Sequence, residues 1–543
     1  MTRRHPYRCV LLAVGLLLAG SLFGQDEETR RIRFKQVCRI KANGDVGLVD
    51  EIVFSVRMYT QIKKMVTNTA MLLRQLGVTG HYTELKDVAA EYDDERHAVK
   101  VTGTLLGGMR NRGKDWLGEI ENAESHEVLD VAPDAITLLA VNQLDDGALV
   151  VGTTRLEFPP GTKNIRFEAA RGGVLCELPA PAPQPQGNLD ADMDIQVRPE
   201  IMSCFYKIYG NRKFGQLWVG RAVFRNRGTA TLQDFRIRFR IPGYSDWGSW
   251  ERTPFVYPTQ TVVEPYYPIL GRGVCELKSA TPAAVEVAWS YRTPDGRLVE
   301  DSETKRLDIL GLNDVIFSSL TADESTSWFE AFNYAPLIGA SFVCHSDPIL
   351  QRFAGMAAKM AGGVAASVSN PNALQFMRGV YDLMCHNQIR YQSPPGLFRR
   401  GVRQHVKFGR DVLQNRSGTC IDLAILYASV CQAGGLEPML VLLPGHCFPM
   451  VKLPEGGFQA VEATAVSGTP DGQKIPFEAA TQRGQKEWQD CLKDGMFYLV
   501  DIQKLRAAGV PSPELPDLPP STLNDWGITV PGDKAPPEPP PKK

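Results

Sequence analysis

The chain has 543 residues, 43% hydrophobic and 22% charged, with a formal net charge of −1. That length and apolar content suit about three domains with cores of their own and exclude a disordered or fibrous chain. The near-zero charge balance, without a basic recognition motif, gives nucleic-acid binding no footing, and no nucleic-acid partner is expected.

Arg3, Arg4, His5 and Arg8 precede an apolar stretch from Cys9 to Phe23, after which Gln25, Asp26, Glu27 and Glu28 turn the chain polar. A charged start, a short apolar core and a polar switch predict a signal peptide over residues 1–24. The apolar core, about fifteen residues, falls short of the roughly twenty that span a bilayer. A secreted, periplasmic or cell-envelope protein is therefore expected. The alternative is an uncleaved N-terminal anchor, because Leu22 is a poor residue two places before a cut at Gly24. No Cys closely follows the core, which argues against a lipoprotein, and no other segment is long and apolar enough to suggest a transmembrane domain.

Residues 25–178 read as a strand-rich α+β domain. Lys35–Lys41 and Val46–Val53 flank a hairpin turn at Asn43-Gly44. Met58, Ile62, Met65, Val66, Thr69, Leu72, Leu73 and Leu76 form one face of a helix that Gly77 ends. Strands are expected at Tyr82–Val88, Val99–Leu106, Ala148–Phe158 and Ile165–Phe167. Alternating Pro from Pro179 to Pro185 predicts an extended linker over 179–192. Over 193–315 the pattern is all-β. Phe235, Ile237, Phe239 and Ile241 alternate with Asp234, Arg236, Arg238 and Arg240, and Val285, Val287, Trp289 and Tyr291 repeat the device. Short regular strands with intervening turns predict an immunoglobulin-like β-sandwich, although the Cys–Trp–Cys spacing of true immunoglobulin domains is not evident. From Pro511 the proline content predicts a disordered tail over 511–543.

Residues 316–510 carry the chemistry. Asp347-Pro348 and Asn370-Pro371 open two helices, with Ile349, Phe353, Met356 and Met360 on one face of the first and Leu374, Met377, Val380, Tyr381 and Met384 along the second. After Arg416-Ser417-Gly418, Thr419 and Asp422 have capping-box spacing. Ile421, Ala424, Ile425, Ala428 and Cys431 then recur at helical intervals to Gly434-Gly435. Cys420 thus opens a helix, where positive potential and unpaired N–H groups favour a thiolate. Met439–Leu443 reads as a buried strand broken at Pro444-Gly445, and His446 opens the next strand, through Leu453. A loop at Pro454–Gly457 returns the chain along Phe458–Val461, which brings Glu462 onto the strand beside His446. A carboxylate there can fix one imidazole tautomer while the other ring nitrogen faces the thiol.

This order of Gly-Thr-Cys-x-Asp at a helix start, Gly-His at a strand start and Glu-x-Thr on the next strand resembles the transglutaminase-like superfamily, relatives of the papain-type fold. The likeness covers roughly residues 325–505. It implies a transglutaminase-like α+β domain after the two β-rich ones, with Cys420 as nucleophile, His446 as general base and acid, and Glu462 as orienting acid. The implied reaction is acyl transfer at amide bonds of a protein or peptide substrate through a thioester. The family usually has Asp where this chain has Glu462, and the extra methylene puts the bond to His446 in question. A catalytically inactive fold serving as an envelope scaffold is therefore the competing reading.

No cofactor or metal is expected. Cys344-His345, Cys385-His386 and His446-Cys447 are adjacent pairs whose side chains diverge in a strand, and no C-x-x-C or H-x-x-x-H spacing occurs. Of eleven cysteines, ten remain without Cys9 and nine besides Cys420, so a monomer keeps at least one further free thiol. Cys431 and Cys447 read as core residues. The basic run Arg399, Arg400, Arg403, Lys407, Arg410 and Arg416 reads as a solvated face before the Cys helix. Nothing in the sequence sets the oligomeric state.

Overall fold

The computed structural model describes residues 31–65, 84–120, 123–143, 149–180, 187–318, 328–393, 403–469 and 471–532. The expected signal peptide and the second half of the helix expected over Met58–Leu76 lie outside them. So do Pro181–Gln186 of the linker and Arg399 and Arg400. The chain is a strand-rich, multidomain α+β protein of two compact units, one formed by residues up to 201, 209–270 and 282–308, the other by 202–208, 271–281 and 309 onward.

In the first unit a seven-stranded sheet runs in the order 84–93, 98–106, 46–53, 31–40, 149–157, 135–143, 126–132. Its neighbours are antiparallel except for Arg31–Ile40 and Leu149–Glu157, which pair parallel. Strand Val46–Val53 buries every second residue, as its alternating sequence requires. A four-stranded sheet, in the order 163–168, 173–177, 116–119, 109–111, shares its core. Cys38, Leu48, Ile136, Leu138 and Leu156 meet Met109, Trp116, Val174 and Cys176 there. Four strands between 109 and 143 escaped the sequence reading. One of them, His126–Ala132, is exposed on both faces over most of its length and so shows no alternation to detect.

The strands between 191 and 310 form a three-stranded sheet, in the order 191–197, 220–226, 261–266, and a five-stranded one, in the order 200–202, 298–310, 281–292, 232–240, 251–256. Aromatic rings link the two sheets: Phe224 stacks on Phe235 at 4.3 Å and Phe239 on Tyr266 at 5.0 Å. Expected as separate domains, the described part of 25–178 and most of 193–308 cluster into one compact unit, with 202–208 and 271–281 in the other. Arg110 pairs with Glu264 at 2.7 Å, their side chains only 11% and 4% exposed. Arg225 pairs with Glu84 at 2.6 Å.

The second unit holds helices α1 (Pro348–Met360), α2 (Asn370–His386), α3 (Gly409–Asn415) and α4 (Cys420–Ala433), strands β1 (Glu437–Leu443), β2 (His446–Lys452) and β3 (Phe458–Ala460), then helix α5 (Phe477–Asp494) and strand β4 (Tyr498–Asp501). The strands form an antiparallel sheet in the order β3-β2-β1-β4. Asp347 caps α1 by accepting from the Ile349 N–H at 2.9 Å, and Pro348 fills the first helical position. Helix α4 is buried on all sides from Ile421 to Cys431, so it serves as the centre of this unit. Its residues Leu423, Leu426, Tyr427 and Val430 join Phe353 of α1 and Phe376, Val380 and Tyr381 of α2 in one core.

Of the segment 511–543, expected to be disordered, residues 511–532 pack on this core, and 533–543 lie outside the described residues. Leu523 and Ile528, 4% and 1% exposed, insert beside α1 and α2. The guanidinium of Arg410 donates to the Pro516 carbonyl at 2.6 Å, and that of Arg416 to the carbonyls of Trp526 and Gly527 at 2.9 and 2.8 Å. Arg410 also pairs with buried Asp347 at 2.6 Å. These two arginines, expected on a solvated face, instead fasten the C-terminal segment. Among the described residues no helix is long and apolar enough to cross a membrane.

Candidate active site

The loop before α4 is tied by one buried carboxylate. Asp422 Oδ2 accepts from the Thr419 N–H at 2.8 Å and its hydroxyl at 3.0 Å, and Oδ1 accepts from the Lys407 N–H at 2.8 Å. Burial pushes the Asp422 carboxyl up, and these bonds oppose it. The capping arrangement fixes Cys420 as the first residue of α4, half-buried at the N-terminal end where backbone N–H groups are unpaired.

His446 opens β2 directly after a two-residue turn, opposite Leu443. The turn needs a left-handed residue at Gly445, whose φ is +79°. The imidazole interacts with the Cys420 side chain. Its Nε2 lies 2.8 Å from Glu462 Oε2. Strand β3 ends at Ala460, so Glu462 stands just past the strand on which it was expected, at the start of a single 3-10 turn over Ala463–Ser467. Its second oxygen accepts from the Thr464 N–H at 2.8 Å and hydroxyl at 2.5 Å. The structure sets Glu462 against His446 at 2.8 Å, with Cys420 among the groups that act on the ring, and the longer glutamate side chain reaches it.

The electrostatics follow from these contacts. Burial works against a charged His446, but the contacts with Cys420, Glu462 and Glu487 outweigh it and push the imidazole up to about 12. Burial alone would raise the Glu462 carboxyl; its bond to His446, that ring's charge and the Thr464 donors bring it below the usual value. Cys431 and Cys447 are wholly buried core thiols, and burial drives both well upward. The ten cysteines among the described residues are free thiols.

Glu487, on α5, was not read from the sequence. Its Oε2 lies 3.4 Å from the same His446 Nε2. No motif contains it, since it arrives from a helix that follows the triad in sequence. The usable signal was Gly484 inside α5: a Cβ there would sit 2.8 Å from the Val461 nitrogen and 2.9 Å from that of Glu462, so glycine lets α5 close onto this strand end. His446, Glu462 and Glu487 are also the described grouping whose potential ligand atoms lie within 4.8 Å of one another.

No protein-family model and no curated protein matches the chain. Among solved structures it is similar to a candidate protease from Parabacteroides distasonis, at 9% identity and TM-score 0.18, covering 83% of this chain and 72% of that one. It is also similar to dimeric latent PorU from Porphyromonas gingivalis, at 10% identity and TM-score 0.13, covering 50% of this chain and 19% of that one. A third, the alpha-2-macroglobulin of E. coli, gives 9% identity and TM-score 0.13, covering 75% of this chain and 27% of that one. At such scores these likenesses carry no argument about fold or activity.

Proposed function

We propose that the chain is an exported cysteine enzyme of transglutaminase-like type that acts on amide bonds of a protein or peptide substrate. The observation that carries this reading is the imidazole of His446, held between the side chain of Cys420 at a helix start and Glu462 at 2.8 Å. With Nε2 engaged by carboxylate, Nδ1 is the nitrogen left to the thiol. The Cys420 sulfur attacks the amide carbonyl, the Cys420 N–H is placed to stabilise the oxyanion, and His446 gives its proton to the departing amine. A thioester remains. Water or a second amine then attacks it, His446 takes the incoming proton, and the thiolate leaves.

The packing of α4 against β1 and β2 supports a transglutaminase-like fold for 316–510, and the two ring-linked sheets support an immunoglobulin-like sandwich for 193–315. The Glu462 contact favours an enzyme over an inactive scaffold, because the longer acid was the motive for the scaffold reading. The test is incubation with a short glutamine-containing peptide and hydroxylamine. Hydroxamate formation that depends on Cys420 and His446 is expected. Absence of any acyl adduct on Cys420 across peptide, amide and amine probes would overturn the reading. Export is tested separately by the N-terminus of protein recovered outside the cytoplasm, which should begin near residue 25.

A further inference from the structure

Two carboxylates converge on one imidazole nitrogen from unrelated parts of the chain. Glu462 is rigidly placed: its side chain is 7% exposed and its other oxygen is held by Thr464. Glu487 reaches the same nitrogen from α5, its side chain 37% exposed and the imidazole 25%. A single N–H cannot serve both acceptors fully, and the distances divide accordingly, 2.8 Å against 3.4 Å. The Glu487 Oε2 is itself out of solvent and has no hydrogen-bond partner, so its 3.4 Å approach to Nε2 is an ion-pair contact. Burying a second anion beside Glu462 is unfavourable unless a cation lies between them. An imidazolium between the two carboxylates meets that condition.

We propose that Glu487 is a second positioning acid for His446, sharing Nε2 with Glu462 and holding the ring charged and aimed at Cys420. This deepens the enzyme reading and rests on it for its purpose, though not for its test. During acyl transfer the imidazole must give up and regain a proton while keeping its orientation. Glu462 fixes the ring from the strand side, and Glu487 supplies a second contact that tightens whenever the ring carries charge. The titratable groups facing His446 are Cys420 on α4, Glu462 past β3, and Glu487 and Cys491 on α5.

The experiment is a double-variant titration that needs no substrate. The eight histidines are labelled with 13C at Cε1, and the His446 resonance is assigned by its loss in His446→Gln. Its midpoint is then followed in Glu462→Gln and in Glu462→Gln/Glu487→Gln. With Glu462 neutral, Glu487 is the remaining carboxylate at Nε2. The single variant should therefore titrate at least about one pH unit above the double, a tenfold difference in proton affinity. Equal midpoints would overturn the proposal. Glu487→Lys in the Glu462→Gln background guards against loss of folding in one variant, and should lower the midpoint below that of the double. Turnover assays can fail while this difference persists, so the failure of the proposal and that of the enzyme reading are told apart.

Discussion

Shortening Glu462 by one methylene is the sharpest test of the triad, because family resemblance and geometry predict opposite outcomes. If aspartate is the better acid here, Glu462→Asp improves the site. The structure says otherwise. The Oε2 to Nε2 distance is already 2.8 Å, and removing one C–C bond withdraws the carboxylate by about 1.2 Å. At about 4 Å the hydrogen bond is gone. With an effective dielectric of about 20, the attraction between carboxylate and imidazolium falls from about 5.9 to about 4.2 kcal/mol, a loss of about 1.7 kcal/mol. That corresponds to roughly 20-fold in rate if the interaction is realised in the reacting ion pair. The assay is alkylation of Cys420 by iodoacetamide at pH 7, resolved by peptide mapping, beside hydroxamate formation from a glutamine peptide. Hydroxamate formation should slow about 20-fold, while alkylation at pH 7 changes little because the imidazolium stays charged. An unchanged or faster hydroxamate rate in Glu462→Asp would refute the argument and show that the natural acid is a poor fit.

Wholly buried Cys431 serves as an internal control: at pH 7 Cys420 should alkylate at least about 100-fold faster, and Cys420→Ser should abolish labelling and turnover while moving Tm by less than about 2 °C. The His446 imidazole is raised on folding, so its contribution to stability is complete below its ordinary value near 6.5 and is lost as pH rises towards about 12. Denaturant unfolding should therefore show the stability advantage of wild type over His446→Gln shrinking between pH 7 and 10, by up to about 1.4 kcal/mol per unit. A gap that widens with pH would reverse the sign of this reasoning. Truncation before Pro511 removes Leu523 and Ile528 from the core and should cost about 3–5 kcal/mol, seen as a large drop in the urea midpoint; an unchanged midpoint would mean the segment contributes nothing.

What could be read from the chain was what local periodicity encodes. Asp347-Pro348, the Thr419–Asp422 box and Gly434-Gly435 mark helix ends whose hydrogen bonds lie within a few residues, so sequence spacing is enough to find them. The approach of Cys420, His446 and Glu462 was legible for a related reason: helix α4, strand β1, strand β2 and the turn after β3 follow one another, with short connections that leave little freedom in where the side chains meet. The strand His126–Ala132 was invisible because neither of its faces is buried enough to impose a period of two. The clustering of most of 193–308 with the strands before it was invisible because pairs such as Arg110 and Glu264 join positions 154 residues apart.

The C-terminal segment and Glu487 expose the same limit from two directions. Proline-rich composition argues against helices and sheets, and among the described residues from Pro511 that inference holds: the one helix is four residues long, Thr522–Asp525. It fails as an argument for disorder because a segment without regular structure still presents carbonyls and apolar side chains. Arg410, Arg416, Leu523 and Ile528 use them. Glu487 likewise looks like one more acid on an amphipathic helix, and its place follows only from Gly484, which lets α5 come within contact of Val461 and Glu462. In both cases the informative residue lies on the opposite side of the contact: an arginine that donates to distant backbone carbonyls, or a glycine where a helix would gain from alanine. By that reasoning Gly484→Ala should act on the site through geometry alone. The new methyl group would push α5 and the strand end apart and weaken the Glu487 contact already stretched to 3.4 Å; because it also bears on the Glu462 backbone, the comparison is made with Glu462 already neutral. The His446 midpoint should then fall in the Glu462→Gln background as it does with Glu487→Gln, while the midpoint difference between Gly484→Ala and wild type at position 484 should vanish once Glu487 is neutral. A difference that survives the loss of Glu487 would show that α5 reaches the imidazole by some other route.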